Sequence, residues 1–200
     1  MEGITIHSYL FFFLKKKMAY DTGDQPFDKS EGVYSFLNVL LHPKSSGTVR
    51  LSSADPQAPL RIDPRYLSDP TDLIPLRASL RLTQRIVAKM GSHGYALKDW
   101  EGPQGDDDDI TLDKFIRKRN RTTYHYSSTC RMASKEDASD GGGVVDEELK
   151  VFGISGLRVA DSSVFPWVLR CHLQAPTVCV AEKCAEMVLH ENKKKMAGMM

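Results

Sequence analysis

Two hundred residues suffice for one domain, or one domain with part of another, and an apolar fraction of 41% suits a globular core rather than a disordered chain. A formal net charge of +1 supplies no global field to draw the chain to nucleic acid or to an anionic membrane. The two local basic runs, Arg117 to Arg121 and Lys193 to Lys195, read as a helix end and a solvated tail.

In chain order, the apolar run Tyr9 to Leu14 is too short to span a bilayer, and the lysines follow it instead of preceding it, the wrong order for a signal peptide. A buried or edge β-strand is expected there, and a cytoplasmic chain by default. Residues 20–31 are polar and read as a loop, after which Tyr34 to Leu41 turns apolar again until His42-Pro43 breaks it. Thr48 to Ser52 alternates as a half-buried strand. Pro56, Pro59, Pro64 and Pro70 punctuate an extended connection in which Leu60 and Ile62 could form a short edge strand.

Asp69-Pro70-Thr71-Asp72 is a helix start, with proline and acids in the first turn. Leu73, Leu76, Leu80, Thr83, Ile86, Val87 and Met90 recur at helical spacing, and Gly91 is expected to stop the run. Asp106 to Asp109 open a second helix that ends in Arg117-Lys118-Arg119, acids in front and bases behind. The four aspartates lack the alternating ligand spacing of a calcium loop. Leu157 to Ala160 reads as a strand after Gly153 and Gly156. Between Pro176 and Leu189 helix formers carry an apolar stripe, with Lys193 to Lys195 as the cationic end. Cys130, Cys171, Cys179 and Cys184 form no CxxC pair and are read as reduced and mostly buried. A zinc site from Cys130, Cys171, His125 and His172 lacks paired ligand spacing, so no metal site is assigned.

Two stretches carry chemistry. Tyr124 to Met132 (YHYSSTCRM) joins His125 to hydroxyls, a thiol and an arginine; Arg170 to Thr177 (RCHLQAPT) sets His172 just before a helix. Free N–H groups at a helix start favour an electron-rich edge or an anion, and disfavour a cationic histidine beside them. Each histidine is a candidate acid/base on these grounds, although solvated or core histidines are the commoner case.

The ordered series LHPKSSGTVRL (Leu41 to Leu51), IDPRYL (Ile62 to Leu67), YHYSSTCRM, Gly143 to Asp146, GLRVADSSVFP (Gly156 to Pro166) and HLQAPTVCVAEKCAEMV (His172 to Val188) resembles the C-terminal half of the glucose–methanol–choline (GMC) flavin oxidoreductases, over about residues 34–189. The resemblance implies a mixed α/β fold. Residues 1–139 would supply a partial antiparallel substrate-domain sheet with helices, residues 140–192 a C-terminal strand and helix of the FAD-binding domain, and residues 193–200 a solvated tail. It implies FAD-dependent oxidation of the CH–OH group of a small-molecule alcohol, with His125 as proton acceptor and His172 on the substrate oxygen. Asp161, Ser162, Gln174 and Thr177 would lie against the FAD.

Ser128 and Ala133 stand where members often carry glycine, and Trp167 to Cys171 is bulkier than usual. No GxGxxG pyrophosphate cradle occurs in these residues. The expected partner is therefore an N-terminal FAD-domain segment, with neither nucleic acid nor a membrane span. The alternative is a non-catalytic remnant that serves in binding or association. The resemblance leaves the particular alcohol open.

Overall fold

A computed structural model describes residues 4–6, 10–17, 33–95, 98–103, 107–136 and 142–199. Asp106, Gly141 and the loop expected over 20–31 lie outside the described residues. The described chain forms two compact units, one of residues 1–9, 41–66 and 124–200, the other of residues 10–40 and 67–123. This division by contacts interleaves the chain. It is a different partition from the substrate and flavin halves implied by resemblance, which concern the role each segment serves.

The second unit holds a four-stranded antiparallel sheet. Strand β2 (Leu10–Lys17) pairs with β3 (Val33–Leu40) along its whole length and, on its other edge, with β6 (Lys98–Glu101) and β7 (Arg121–Thr122). The apolar run read as a buried or edge strand is thus a central one, extended through all three lysines. Helix α1 (Leu73–Ser92) packs on β3 and on α2 (Asp109–Arg119).

Leu73, Leu76, Leu80 and Thr83 are buried on the predicted stripe of α1, and Leu112 and Ile116 are buried on α2. Each buried leucine or isoleucine contributes about 1.5–3 kcal/mol. The stripe fades in the second half of α1, where Ile86 is exposed. The helix also runs one residue past Gly91, ending at Ser92 with His93 as its cap.

The aspartate run is a helix cap. Asp108 accepts a hydrogen bond from Thr111 N–H at 2.7 Å, and that bond holds its carboxyl below the usual range. Asp109 binds Arg81 at 2.7 Å and Arg77 at 3.3 Å, so an acid at the start of α2 also ties it to α1. A 3-10 turn at Pro70–Asp72 precedes α1, capped by Asp69 through Thr71 N–H at 2.8 Å.

The first unit holds a three-stranded antiparallel sheet in which β4 (Gly47–Arg50) is central, with β1 (Ile4–Ile6) and β5 (Arg61–Asp63) as its edges. Gly47 is required there: a Cβ would lie 2.2 Å from the Asp63 carbonyl oxygen and 2.5 Å from Pro64 Cα. A second centre is Val145, Leu149 and Val164, with Met132, Val144, Val151, Val159, Ala160, Val180 and Cys184 against it.

The strand expected at Leu157–Ala160 is reduced to a single bridge between Lys150 and Arg158. Gly153 and Gly156 take positive φ of 74° and 78° in the tight reversal between these residues. The bonds Val151 N–H to Leu157 O (3.0 Å) and Val159 N–H to Leu149 O (3.1 Å) hold the reversal closed.

Helix α3 (Gln174–Ala197) is longer than the stripe implied and takes in the three lysines read as a tail. The four cysteines are free; Cys171 and Cys179 are exposed and Cys130 and Cys184 half-buried, so the expectation that they are mostly buried fails. No helix among the described residues is long and apolar enough to cross a membrane.

Candidate active site

His125 and His172, 47 residues apart in sequence, meet in the first unit: Nε2 of His125 lies 3.1 Å from Nδ1 of His172. The rings are edge to face, centroids 5.0 Å apart, with 68° between their planes. One nitrogen donates and the other accepts, according to tautomer. Burial disfavours the imidazolium of His125, and the neighbouring His172 adds to this, so its pKa lies below the ordinary value.

The segment carrying His125 is held from both sides. Ser128, Cys130 and Met132 donate their backbone N–H groups to the carbonyls of Ser162 (3.4 Å), Ser163 (2.9 Å) and Val164 (2.9 Å). The Ser162 hydroxyl donates to the Tyr126 carbonyl at 3.0 Å. On the other side Val144 N–H donates to Arg131 O (2.7 Å), Ala133 N–H to Val145 O (3.0 Å), and Arg131 Nε to Gly142 O.

Tyr124 and Ser128, which flank the histidine, both adopt positive φ, 64° and 71°. Buried Ser128 therefore occupies a left-handed position, the conformation for which glycine carries no penalty. Ala133 puts its Cβ 2.3 Å from where a Cβ on Gly143 would be, so the two small residues let adjacent backbones approach.

His172 is set by α3, which begins two residues later with Leu173 buried beneath it. No side chain caps the first turn of α3. The Arg170 guanidinium donates to Nδ1 of His42 at 2.7 Å, fastening the approach to His172 onto the loop before β4. This latch was missed in the sequence, because nothing local links positions 128 residues apart.

The remaining expected site residues are largely engaged in holding local structure. Asp161 caps a 3-10 turn (Ser162–Val164) by accepting from Ser163 N–H at 2.8 Å. The Thr177 hydroxyl donates back to Leu173 O at 2.6 Å, which leaves only its lone pairs for a ligand. Gln174 is exposed at the first position of α3. Ser163 Oγ is buried with no partner, an orphaned hydroxyl next to Ser162. The uncapped start of α3 with exposed Gln174 on it offers N–H donors of the kind that suit the electron-rich edge of a flavin ring. Among the described residues no group of three or more His, Cys, Asp or Glu side chains could hold a metal.

The family profile described as "GMC oxidoreductase" matches residues 43–181. The chain is 36% identical over 179 residues to the oxygen-dependent choline dehydrogenase of Rhizobium johnstonii, covering 90% of this chain and 32% of the relative. It is 39% identical over 163 residues to the GMC oxidoreductase family protein Mala s 12 of Malassezia sympodialis, covering 79% and 25%. Among solved structures, a fungal aryl-alcohol oxidase matches with a TM-score of 0.70 at 33% identity, covering 78% of this chain and 25% of that one. The chain thus spans a quarter to a third of the length of these relatives.

Proposed function

The chain belongs to the GMC oxidoreductase family, and from that premise we propose that it forms the substrate-facing part of an FAD-dependent oxidoreductase acting on the CH–OH group of a small alcohol. The observation that carries this reading is the convergence of two histidine nitrogens at 3.1 Å. His125, depressed in pKa, is the neutral proton acceptor near neutral pH. In the tautomer that carries its proton on Nδ1, His172 donates to Nε2 of His125 and would turn that donor to the alcohol oxygen.

An oxygen bridging two nitrogens at about 2.8 Å each needs them farther apart than the resting contact, so one ring turns aside as substrate enters. His172 is the exposed member of the pair, and turning it costs its hydrogen bond to His125. Holding the hydroxyl between a base and a donor lowers the cost of removing its proton and fixes the carbon that must give up hydride.

When bound, FAD would supply the hydride acceptor. Its ring would be held by Gln174 and the first turn of α3, with Asp161, Ser162 and Thr177 nearby in the same unit. These residues contain no GxGxxG cradle for the pyrophosphate. That role would fall to an FAD-domain segment, and the alternative reading is a binding remnant without turnover.

Visible flavin absorbance separates the two. The purified chain should remain colourless with excess FAD, take up flavin when a complementing FAD-domain chain is added, and then oxidise alcohols. His125→Ala in that complex should lower turnover by roughly 10²- to 10⁴-fold. A complex that binds flavin and shows no alcohol oxidation with any substrate tried would leave the binding reading standing.

A further inference from the structure

Arg170 and His42 meet within one compact unit: Nη2 of Arg170 lies 2.7 Å from Nδ1 of His42. A guanidinium carries donors and no acceptor, so Nδ1 accepts and the neutral His42 ring holds its proton on Nε2. Both side chains are exposed, and neither serves the core. The platform beneath His42 is rigid. Pro43, whose ring fixes φ, is buried beside it, as are Ser45 and Gly47, and Gly47 has no room for a Cβ.

The other end of the contact sits in the irregular stretch from Pro166 to His172. Trp167 to Cys171, bulkier than is usual in the family, sends Val168 into the core at 4% exposure and Arg170 to His42. Leu173, 7% exposed, anchors the far side at the start of α3. His172 is thereby bracketed, with Arg170 holding the chain just before it and Leu173 just after. A residue fixed on both sides turns its ring without carrying its backbone along. We propose that Arg170 and His42 are positioning residues: their contact sets the backbone from which the His172 ring reaches first Nε2 of His125 and then the alcohol oxygen. The second partner rests on the oxidoreductase reading, whereas the first, 3.1 Å away, is present without substrate.

The test reads the ring pair in the full chain, without flavin. At about pH 8, where histidine rings are neutral, ring-nitrogen NMR shifts distinguish a protonated nitrogen from an accepting one. In the parent, Nε2 of His125 and Nδ1 of His172 should appear as one donor and one acceptor, on rings joined by an NOE. Arg170→Ala and His42→Ala should both lose that NOE and move the two rings toward the tautomer mixture of a free imidazole. The second variant keeps the guanidinium, so it separates the contact from the charge. His42→Asn places an amide oxygen near the position of Nδ1 and should restore the parent signature. Melting temperatures should stay close to the parent's, since both side chains are exposed. In the complex with an FAD-domain chain, the two alanine variants should lower kcat by roughly 10- to 100-fold with little change in KM. The ring spectra decide the latch even if that complex oxidises no alcohol, so the two readings fail separately. Unchanged rings in His42→Ala, or a signature lost equally in His42→Ala and His42→Asn, overturns it.

Discussion

At the residue scale the site rests on two departures from ordinary backbone and solvation. Ser128 is buried at φ 71°, where an L side chain is strained by about 1–2 kcal/mol. Its hydroxyl meets the Ser127 hydroxyl at 3.4 Å, a long contact. Ser128→Gly should therefore keep or slightly raise the melting temperature. Ser128→Val, β-branched and larger, should lower stability by about 1–3 kcal/mol. Denaturant melts of the two variants give the comparison, and equal effects would remove the backbone argument.

The second departure is the depressed pKa of His125, caused first by burial and then by His172. In an NMR titration of the full chain its ring should titrate below 6.5, and His172→Asn should raise the midpoint without bringing it all the way back, because the burial remains. The unfolded chain takes up this proton first, so His125 lowers stability as pH falls through 6.5 toward the folded value and has no effect above it.

At the element scale, β4 and α3 are each fixed by features that can be removed singly. Gly47→Ala places a methyl on the backbone of Asp63 and Pro64 and should cost about 1–3 kcal/mol by parting β4 from β5; an unchanged melt would mean the strands yield at no cost. Helix α3 is tied down by Glu191, which receives Arg158 at 2.9 and 3.3 Å and Lys150 at 2.7 Å. The Arg158 bonds first, then Lys150, hold the Glu191 carboxyl at about 2, below its ordinary 4.5. A depressed carboxylate contributes stability that is present above 4.5 and is lost as pH falls from there toward 2. Glu191→Gln should flatten the acid limb of stability in that window, read from melting temperature against pH.

These elements also mark what was legible. The helices α1 and α2 declared themselves through caps and a 3.6-residue stripe, since Asp69, Asp108 and the leucines act within one or two turns. The Leu157–Ala160 strand did not form, because a ladder depends on a neighbour that local alternation cannot reveal. The two histidines were candidates from their local surroundings and gained their roles through motif order; their 3.1 Å contact and the Arg170–His42 latch depend on folding that joins distant segments.

At the scale of the whole molecule the feature that remains is the surface of α3. None of its residues is buried, although Val180 and Cys184 lean on the Val145 centre. Val178, Leu189 and Met196 are 54%, 60% and 70% exposed along 24 residues. In water a helix gains most of its stability from burying one face, and here that burial is shallow. The proposed FAD-domain partner would cover such a face, since a flavin held at the start of α3 needs its pyrophosphate held alongside. Hydrogen exchange of the chain alone should show α3 amides exchanging faster than those of α1, whose Leu76 and Leu80 are buried. The lone chain should also bind a hydrophobic dye and associate at micromolar concentration. Adding the complementing FAD-domain chain should slow α3 exchange by roughly tenfold or more, while α1, in the other compact unit, changes little. Strong α3 protection in the lone chain, together with a sharp cooperative melt, would show that the helix needs no such cover.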